Sequence, residues 1–241
     1  MQKIKLFCFP YAGGSSSIYA KWDFYLYDFI KLFPVELAGR GSRIDDPVYK
    51  SYDNMIDDIL NRIHEEISSG FFAFFGHSMG ALIAFSLAQR IAKEKLNEPV
   101  HIFFSGQEAP HFKINSNTKK HTLPDSQFLE EIIKMGGLPD KLIDNKEFLN
   151  FFLPVLKNDF KLDETFTLDN QEPLNTNFSV LTGRNDSITY DEIVSWNKYS
   201  SKFCNVQYFN GNHFFIEQSR NSVISFVNDT LFKEKRIRRI D

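Results

Sequence analysis

The sequence predicts an α/β fold: a mainly parallel β-sheet with helices on both faces and a helical insertion late in the chain. Three observations lead there. Short apolar runs alternate with longer segments of helical periodicity, the rhythm of strand–helix units whose strands lie parallel. One run, "FFAFF" at 71–75, is apolar throughout, as a central strand covered on both faces requires. Between about 107 and 175 that rhythm stops and only helical patterns remain. The 241 residues suffice for one sizeable core, so residues 1–241 are expected to form a single domain.

In chain order, "IKLFCF" (4–9) is the first strand and ends at the glycine- and serine-rich loop "PYAGGSSS". A helix is expected near 19–30, then a short strand "KLFPVEL" and a polar loop "AGRGSRIDDP". In "SYDNMIDDILNRIHEEI" the residues Met55, Ile56, Ile59, Leu60, Ile63 and Ile67 recur at helical spacing, with Asp53 as the expected N-cap. After "FFAFF", the segment "ALIAFSLAQRIA" reads as a helix in which Ala81, Ala84 and Ala88 allow close approach to the sheet. "VHIFFSG" (100–106) is the next strand. Within the insertion "SQFLEEIIKMGG", "DKLIDN" and "KEFLNFFLPVLKNDFKL" read as helices parted by glycine and proline. "NFSVLTG" (177–183), a helix near 190–199, the strand "NVQYFNG" and a helix near 221–232 complete the chain. The basic tail "KEKRIRRI" reads as a solvated helix end.

Composition narrows the function classes. Hydrophobic residues make up 42% and charged residues 24%, ordinary proportions for a globular chain. A net charge of -3 argues against nucleic acid as a partner, because phosphate-binding surfaces carry a basic excess. "MQKIKLFCFP" is too short an apolar run for a secretory signal, broken by Lys5 and Pro10, and no run reaches membrane-spanning length. Two cysteines, Cys8 and Cys204, point to a reducing cytoplasm. No Cys/His cluster has zinc spacing, so neither a metal nor another cofactor is expected. The 26 phenylalanines lie mostly in strand-like runs, where core packing accounts for them.

The chemistry begins at "FFGHSMGAL". Gly76-His77-Ser78-Met79-Gly80 is a G-x-S-x-G pentad that follows a strand and opens a helix. A turn that sharp leaves no room for flanking side chains, hence glycine two before and two after Ser78. The turn lifts the hydroxyl above the sheet at a helix N-terminus, which favours negative charge nearby. Such a serine is a nucleophile in need of a base. His77 sits inside the turn, where its ring must point away from the hydroxyl; His64 lies on a solvated helix face, His101 begins a strand, and His111 and His121 fall in the insertion. His213, in the loop "NGNHFF" after the last strand, is the expected general base. Asp186 in "LTGRNDSI", just past the preceding strand, is the expected acid; its rival Asp191 has the ordinary place of a carboxylate at a helix start. The resulting order Ser…Asp…His is that of the α/β-hydrolase fold. The oxyanion donors are expected to be the N–H of Met79 and one from "FPYAGGSSS", Ala12 with Tyr11 as the alternative.

These motifs resemble the type II thioesterases that accompany non-ribosomal peptide and polyketide synthases. "LFCFPYAGGSSSIY" resembles that family's opening, "FFGHSMGALIAFSLA" its serine turn, "GRNDSI" and "GNHFFI" its acid and base loops. "LPDSQFLEEIIKMGGLP" and "FLPVLKNDFKLDETF" resemble its helical lid. One departure is Ala38 in "ELAGRGSR", where the family usually has proline. The resemblance implies hydrolysis of acyl groups from the phosphopantetheine arm of an acyl or peptidyl carrier protein, clearing stalled or misprimed synthases. The partner is then the carrier protein, not a membrane or nucleic acid, and the enzyme is expected to act as a monomer. Phe128, Leu129, Ile132, Met135, Phe152 and Leu156 are expected to give the acyl chain apolar cover, with Gly136-Gly137 as a hinge. Arg40, Arg43, Lys119 and Lys120 are the candidates for a docking patch. Two other readings are a free-standing esterase for small oxoesters and a non-catalytic binding module on the same fold.

Overall fold

The computed structural model describes residues 2–114, 119–137, 145–168 and 172–240. Its sheet contains β1 (Ile4–Phe9), β2 (Ile30–Pro34), β3 (Phe72–His77), β4 (His101–Ser105), β5 (Asn177–Gly183) and β6 (Cys204–Phe209). They lie in the order β2-β1-β3-β4-β5-β6, and every neighbouring pair is parallel. A parallel sheet must be covered on both faces, and period-two alternation of apolar side chains does this. Phe7, Phe9, Phe72, Phe74, Ile102 and Phe104 face one core, while Leu6, Cys8, Ala73, Phe75 and Phe103 face the other. Each buried phenylalanine contributes about 1.5–3 kcal/mol of transfer free energy, so the aromatic wealth of the sequence is mainly core.

The first core is closed by α1 (Tyr52–Ser68) and α2 (Met79–Lys93). Helix α1 buries the apolar stripe read from its spacing, but its cap is Ser51, whose hydroxyl accepts from the Asn54 N–H at 3.2 Å. Asp53 sits in the first turn instead, two residues past the cap, where its charge meets the helix dipole. The segment expected as a helix near 19–30 is a 3-10 helix at Ser16–Phe24 that buries Tyr19 and Trp22 against the second core. The three-residue spacing of that pair matches a 3-10 repeat.

Between β4 and β5 the described residues form α3 (Pro110–Lys113), α4 (Asp125–Lys134) and α5 (Lys146–Glu164). Gly136, at φ 74°, ends α4 in the left-handed conformation usual after a helix terminus. The expected helix "DKLIDN" falls mostly on 140–144, outside the described residues. Helix α6 (Tyr190–Val194) starts at a capping box of Thr189 and Glu192 and runs into a 3-10 turn at Ser195–Tyr199. After α7 (Phe215–Gln218), α8 (Arg220–Arg238) covers the second core and extends six residues beyond its expected end near 232. Its tail is only partly solvated: Glu234 is buried, bonded to His101 and to Asn177 at 2.7 Å. Among the described residues no helix is long and apolar enough to cross a membrane.

Candidate active site

Because β1 lies between β2 and β3, the connections after β1 and β3 leave the sheet on opposite sides and open a crevice at its carboxyl edge. Both motif-bearing loops flank it. Ser78 stands between β3 and α2 at φ 54° and ψ -123°, a strained backbone for a residue with a side chain. The turn is possible because its neighbours have no side chains. A Cβ on Gly76 would lie 2.0 Å from the Gly80 carbonyl oxygen, and one on Gly80 2.2 Å from the Phe9 carbonyl oxygen. The Ser78 N–H donates to Ser105 O at 2.7 Å, which ties the turn to β4.

The acid and base loops are laced together next to it. Asn185 N–H donates to Gly211 O at 3.0 Å, and a Cβ on Gly183 would meet Asn212 O at 2.4 Å, so only glycine lets these loops close. His213 Nδ1 then lies 3.1 Å from Asp186 Oδ2. The other carboxylate oxygen accepts the Ser187 N–H at 2.7 Å, and the Asp186 side chain is 2% exposed. Asp191 is exposed in the first turn of α6. The remaining histidines are engaged elsewhere or exposed. His101 contacts Glu234 and Ser179, His111 lies 3.0 Å from the Tyr199 hydroxyl, His121 is held by Glu164, and His64 faces solvent. His77 is fully buried against Ser105, and burial holds its imidazole well below its ordinary pKa and so uncharged.

Ser78, Met79, Ala12, Asp186 and His213 line one cavity of about 560 Å³. Met79 is the first residue of α2, so its N–H lacks an intrahelical acceptor. In the β1 loop the Gly13 N–H is taken by Asp159 at 2.7 Å and the Gly14 N–H by Tyr11 O at 2.8 Å. The Ala12 N–H has no acceptor among the described residues. Tyr11 turns its ring onto His77 and Phe214, and its hydroxyl donates to Glu217 at 2.9 Å.

The walls differ from the expected apolar cover. Of the insertion residues, Met135 lines the cavity, whereas Phe128 and Phe152 do not. Phe128 is fully buried between α4 and α5, edge-on to Phe160, and Phe152 stacks on Phe148. Phe152 and Leu156 also press on Gly13, where a Cβ would lie 2.6 Å from Leu156 Cδ1. These side chains seat the helices on the body, as amphipathic stripes usually do. Facing the cavity instead are Gln107, Glu108, Lys113, Lys120, Asp163 and Glu164, none singled out by the sequence reading except Lys120. Gln107 Nε2 and Asp163 Oδ1 are buried there with no hydrogen-bond partner among the described residues. Burial raises the Glu108 carboxyl pKa. Buried polar atoms are normally paired, so this cavity can meet polar groups of a ligand as well as carbon. Among the described residues no cluster of His, Cys, Asp or Glu is arranged for a metal ion.

Arg40 and Arg43 are not rim charges. Arg40 is 6% exposed and forks onto Asp159, while Arg43 is held by Asp46, Asp58 and Tyr49. Lys119 is exposed and Lys120 half-buried. Ala38 keeps an N–H that donates to the Tyr49 hydroxyl at 3.3 Å, a bond that proline could not make.

Residues 4–231 match the thioesterase domain family. The gramicidin S biosynthesis protein GrsT of Aneurinibacillus migulanus is 32% identical over 226 residues, 93% of this chain and 88% of that protein. The medium-chain S-acyl fatty acid synthase thioesterase of Rattus norvegicus is 32% identical over 237 residues, 95% of this chain and 87% of that one. The crystal structure of ClbQ from the colibactin NRPS/PKS pathway superposes with a TM-score of 0.93 at 33% identity, covering 98% of this chain and 100% of that one. The sheet and its flanking helices are thus those of the α/β-hydrolase fold. With a family match that spans nearly the whole chain, the protein belongs to the thioesterase domain family, hydrolases that act on thioesters.

Proposed function

We propose that the protein is a type II thioesterase that removes acyl groups from the phosphopantetheine arm of an acyl or peptidyl carrier protein, with Ser78, His213 and Asp186 as its catalytic triad. The observation that carries this reading is the strained Ser78 turn opening on the same cavity as the hydrogen-bonded His213–Asp186 pair. Similarity to a gramicidin S biosynthesis protein and to a protein of a colibactin NRPS/PKS pathway supports the synthase context.

The chemistry follows from the atoms available. His213 Nδ1–H donates to Asp186, which leaves Nε2 as the base that takes the Ser78 proton while Oγ attacks the thioester carbonyl. The oxyanion is received by the N–H groups of Met79 and Ala12, aided by the positive end of α2. Collapse breaks the C–S bond, and His213 returns the proton to the departing thiolate. Water, deprotonated by the same imidazole, then attacks the acyl-Ser78 ester; the carboxylic acid leaves and Ser78 recovers its proton. A thioester carbonyl is less resonance-stabilised than an ester and its thiolate leaves more readily than an alkoxide, so this machinery needs no further electrophile. Helices α4 and α5 act as the lid, and exposed Lys119 beside Lys120 is the remaining candidate for meeting an acidic carrier.

The test is kcat/KM on an acyl-carrier protein against that on a p-nitrophenyl ester of the same acyl group. The carrier thioester should be preferred by at least about 10-fold through added docking contacts. A preference for the small oxoester would favour a free-standing esterase.

A further inference from the structure

Asp159 belongs to α5, 81 residues beyond the nucleophile, yet its carboxylate is completely buried in the loop after β1. One oxygen accepts the Gly13 N–H at 2.7 Å, and the other accepts Arg40 Nη2 at 2.7 Å. Arg40 Nη1 closes the fork on the first oxygen and also donates to the Gly14 carbonyl at 3.3 Å. The guanidinium is itself fixed by the Ala38 carbonyl, 3.4 Å from Nε. So the pair holds the loop by two backbone groups: the N–H of Gly13 and the C=O of Gly14. Gly13 is at φ 77°, and the Gly14 N–H bonded to Tyr11 O closes a turn around Ala12. What stays unpaired among the described residues is the Ala12 N–H, on a residue lining the cavity beside Ser78.

We infer that the buried Arg40–Asp159 pair is a positioning element for the oxyanion hole: it orients the Ala12 amide and makes that orientation depend on α5 being seated. The inference rests on the proposed role of Ala12 as an oxyanion donor. Neither side chain touches substrate; both act through Gly13 and Gly14. The geometry explains why the pair is buried at all. Two charges removed from water are weak contributors to stability, but a bidentate fork fixes direction. An oxyanion donor is effective only when fixed before the reaction, since a donor that must reorient gives up part of its stabilisation. The lid helix therefore does two things: it walls the cavity and it sets one half of the hole.

The experiment uses the full chain with Asp159→Asn and Arg40→Lys. Asparagine can still accept from Gly13 but lacks the charge that holds the fork; lysine keeps the charge but loses the fork. Leu153→Ala, on the same helix but outside the pair's hydrogen bonds, is the control for lid stability. Each is measured for melting temperature, for kcat and KM on a small soluble acyl thioester, and for inhibition by a boronic acid that forms a tetrahedral adduct on serine. We expect kcat to fall about 10–100-fold in Asp159→Asn and Arg40→Lys, less than complete loss of one oxyanion donor. KM should stay within about threefold, and the boronate should weaken by the same factor as kcat/KM. In Leu153→Ala, which leaves the fork on Gly13 and Gly14 in place, kcat and boronate affinity should each stay within about threefold of wild type. If one paired variant fails to fold, the other is decisive. Wild-type kcat in a folded variant overturns the inference; so does lower kcat without weaker boronate binding, or equal boronate weakening in Leu153→Ala at a matched melting temperature. Should Ser78→Ala retain activity, the functional reading itself fails, a result none of these outcomes imitates.

Discussion

At Ser78 the backbone carries about 1–3 kcal/mol of strain, held by bonds to β4 on one side and by the start of α2 on the other. Two glycines with no room for a Cβ are the local trace of that turn, and they are why the serine could be singled out from sequence. Asp186 and His213 were legible for a different reason: each closely follows a strand, and parallel strands deliver such loops to one edge. The Asp186 assignment can be checked against its rival. Asp186→Asn should lower kcat about 10⁴-fold, because an amide supports the wrong imidazole tautomer and cannot balance its charge. Asp191→Asn should stay within about threefold of wild type, since that carboxylate only faces a helix dipole. Steady-state kinetics on one thioester decides it, and a larger loss at Asp191 would reassign the acid. Arg40 was illegible. A loop arginine reads as a solvated charge, and its partner 119 residues away leaves no pattern near it.

At the scale of elements, helical periodicity identified α4 and α5 but not what their apolar faces meet. Phe128, Leu156 and Phe152 form a cluster that joins the two helices and rests on the β1 loop, so burial there is structural. Met135, just past the end of α4 and 36% exposed, is the member of the expected set that looks into the cavity. Chain-length preference should therefore respond to Met135→Trp, by about 1 kcal/mol in relative kcat/KM per methylene excluded. Phe152→Leu should leave the preference unchanged while lowering the melting temperature. Competition assays across a series of straight-chain thioesters would show it, and the reverse pattern would move the acyl pocket toward Phe152. Two carboxylates one helical turn apart, Asp159 and Asp163, tie α5 to Arg40 and Lys113. Spacing alone suits them equally to solvent, and only the fold supplies the cations.

The whole molecule carries a pH dependence set by imidazoles buried uncharged. Burial lowers the pKa of both His77 and His101; for His101 it outweighs the attraction of Glu234. Below about pH 6.5 the unfolded chain takes up protons that the folded chain refuses. Stability should thus fall with acidification, by up to about 1.4 kcal/mol per pH unit for each histidine, until the folded imidazoles also titrate. Glu234, whose pKa is lowered by His101 and Asn177 despite burial, loses its contribution in the same direction at lower pH. Melting temperature should drop by several degrees between pH 7.5 and 5.5, and less in His101→Gln; a flat profile would mean that these rings charge within the fold. Intact-protein mass spectrometry of an acylated carrier protein reads the role of Ser78 on the carrier itself. Wild-type enzyme should return the carrier to the mass of its free phosphopantetheine form. Ser78→Ala, folded and at equal concentration, should leave the acyl mass in place with at least about 10⁴-fold slower loss. Acyl removal by Ser78→Ala at even a tenth of the wild-type rate would exclude Ser78 as the nucleophile, and an acyl-carrier mass untouched by the wild-type enzyme would exclude the carrier as its substrate.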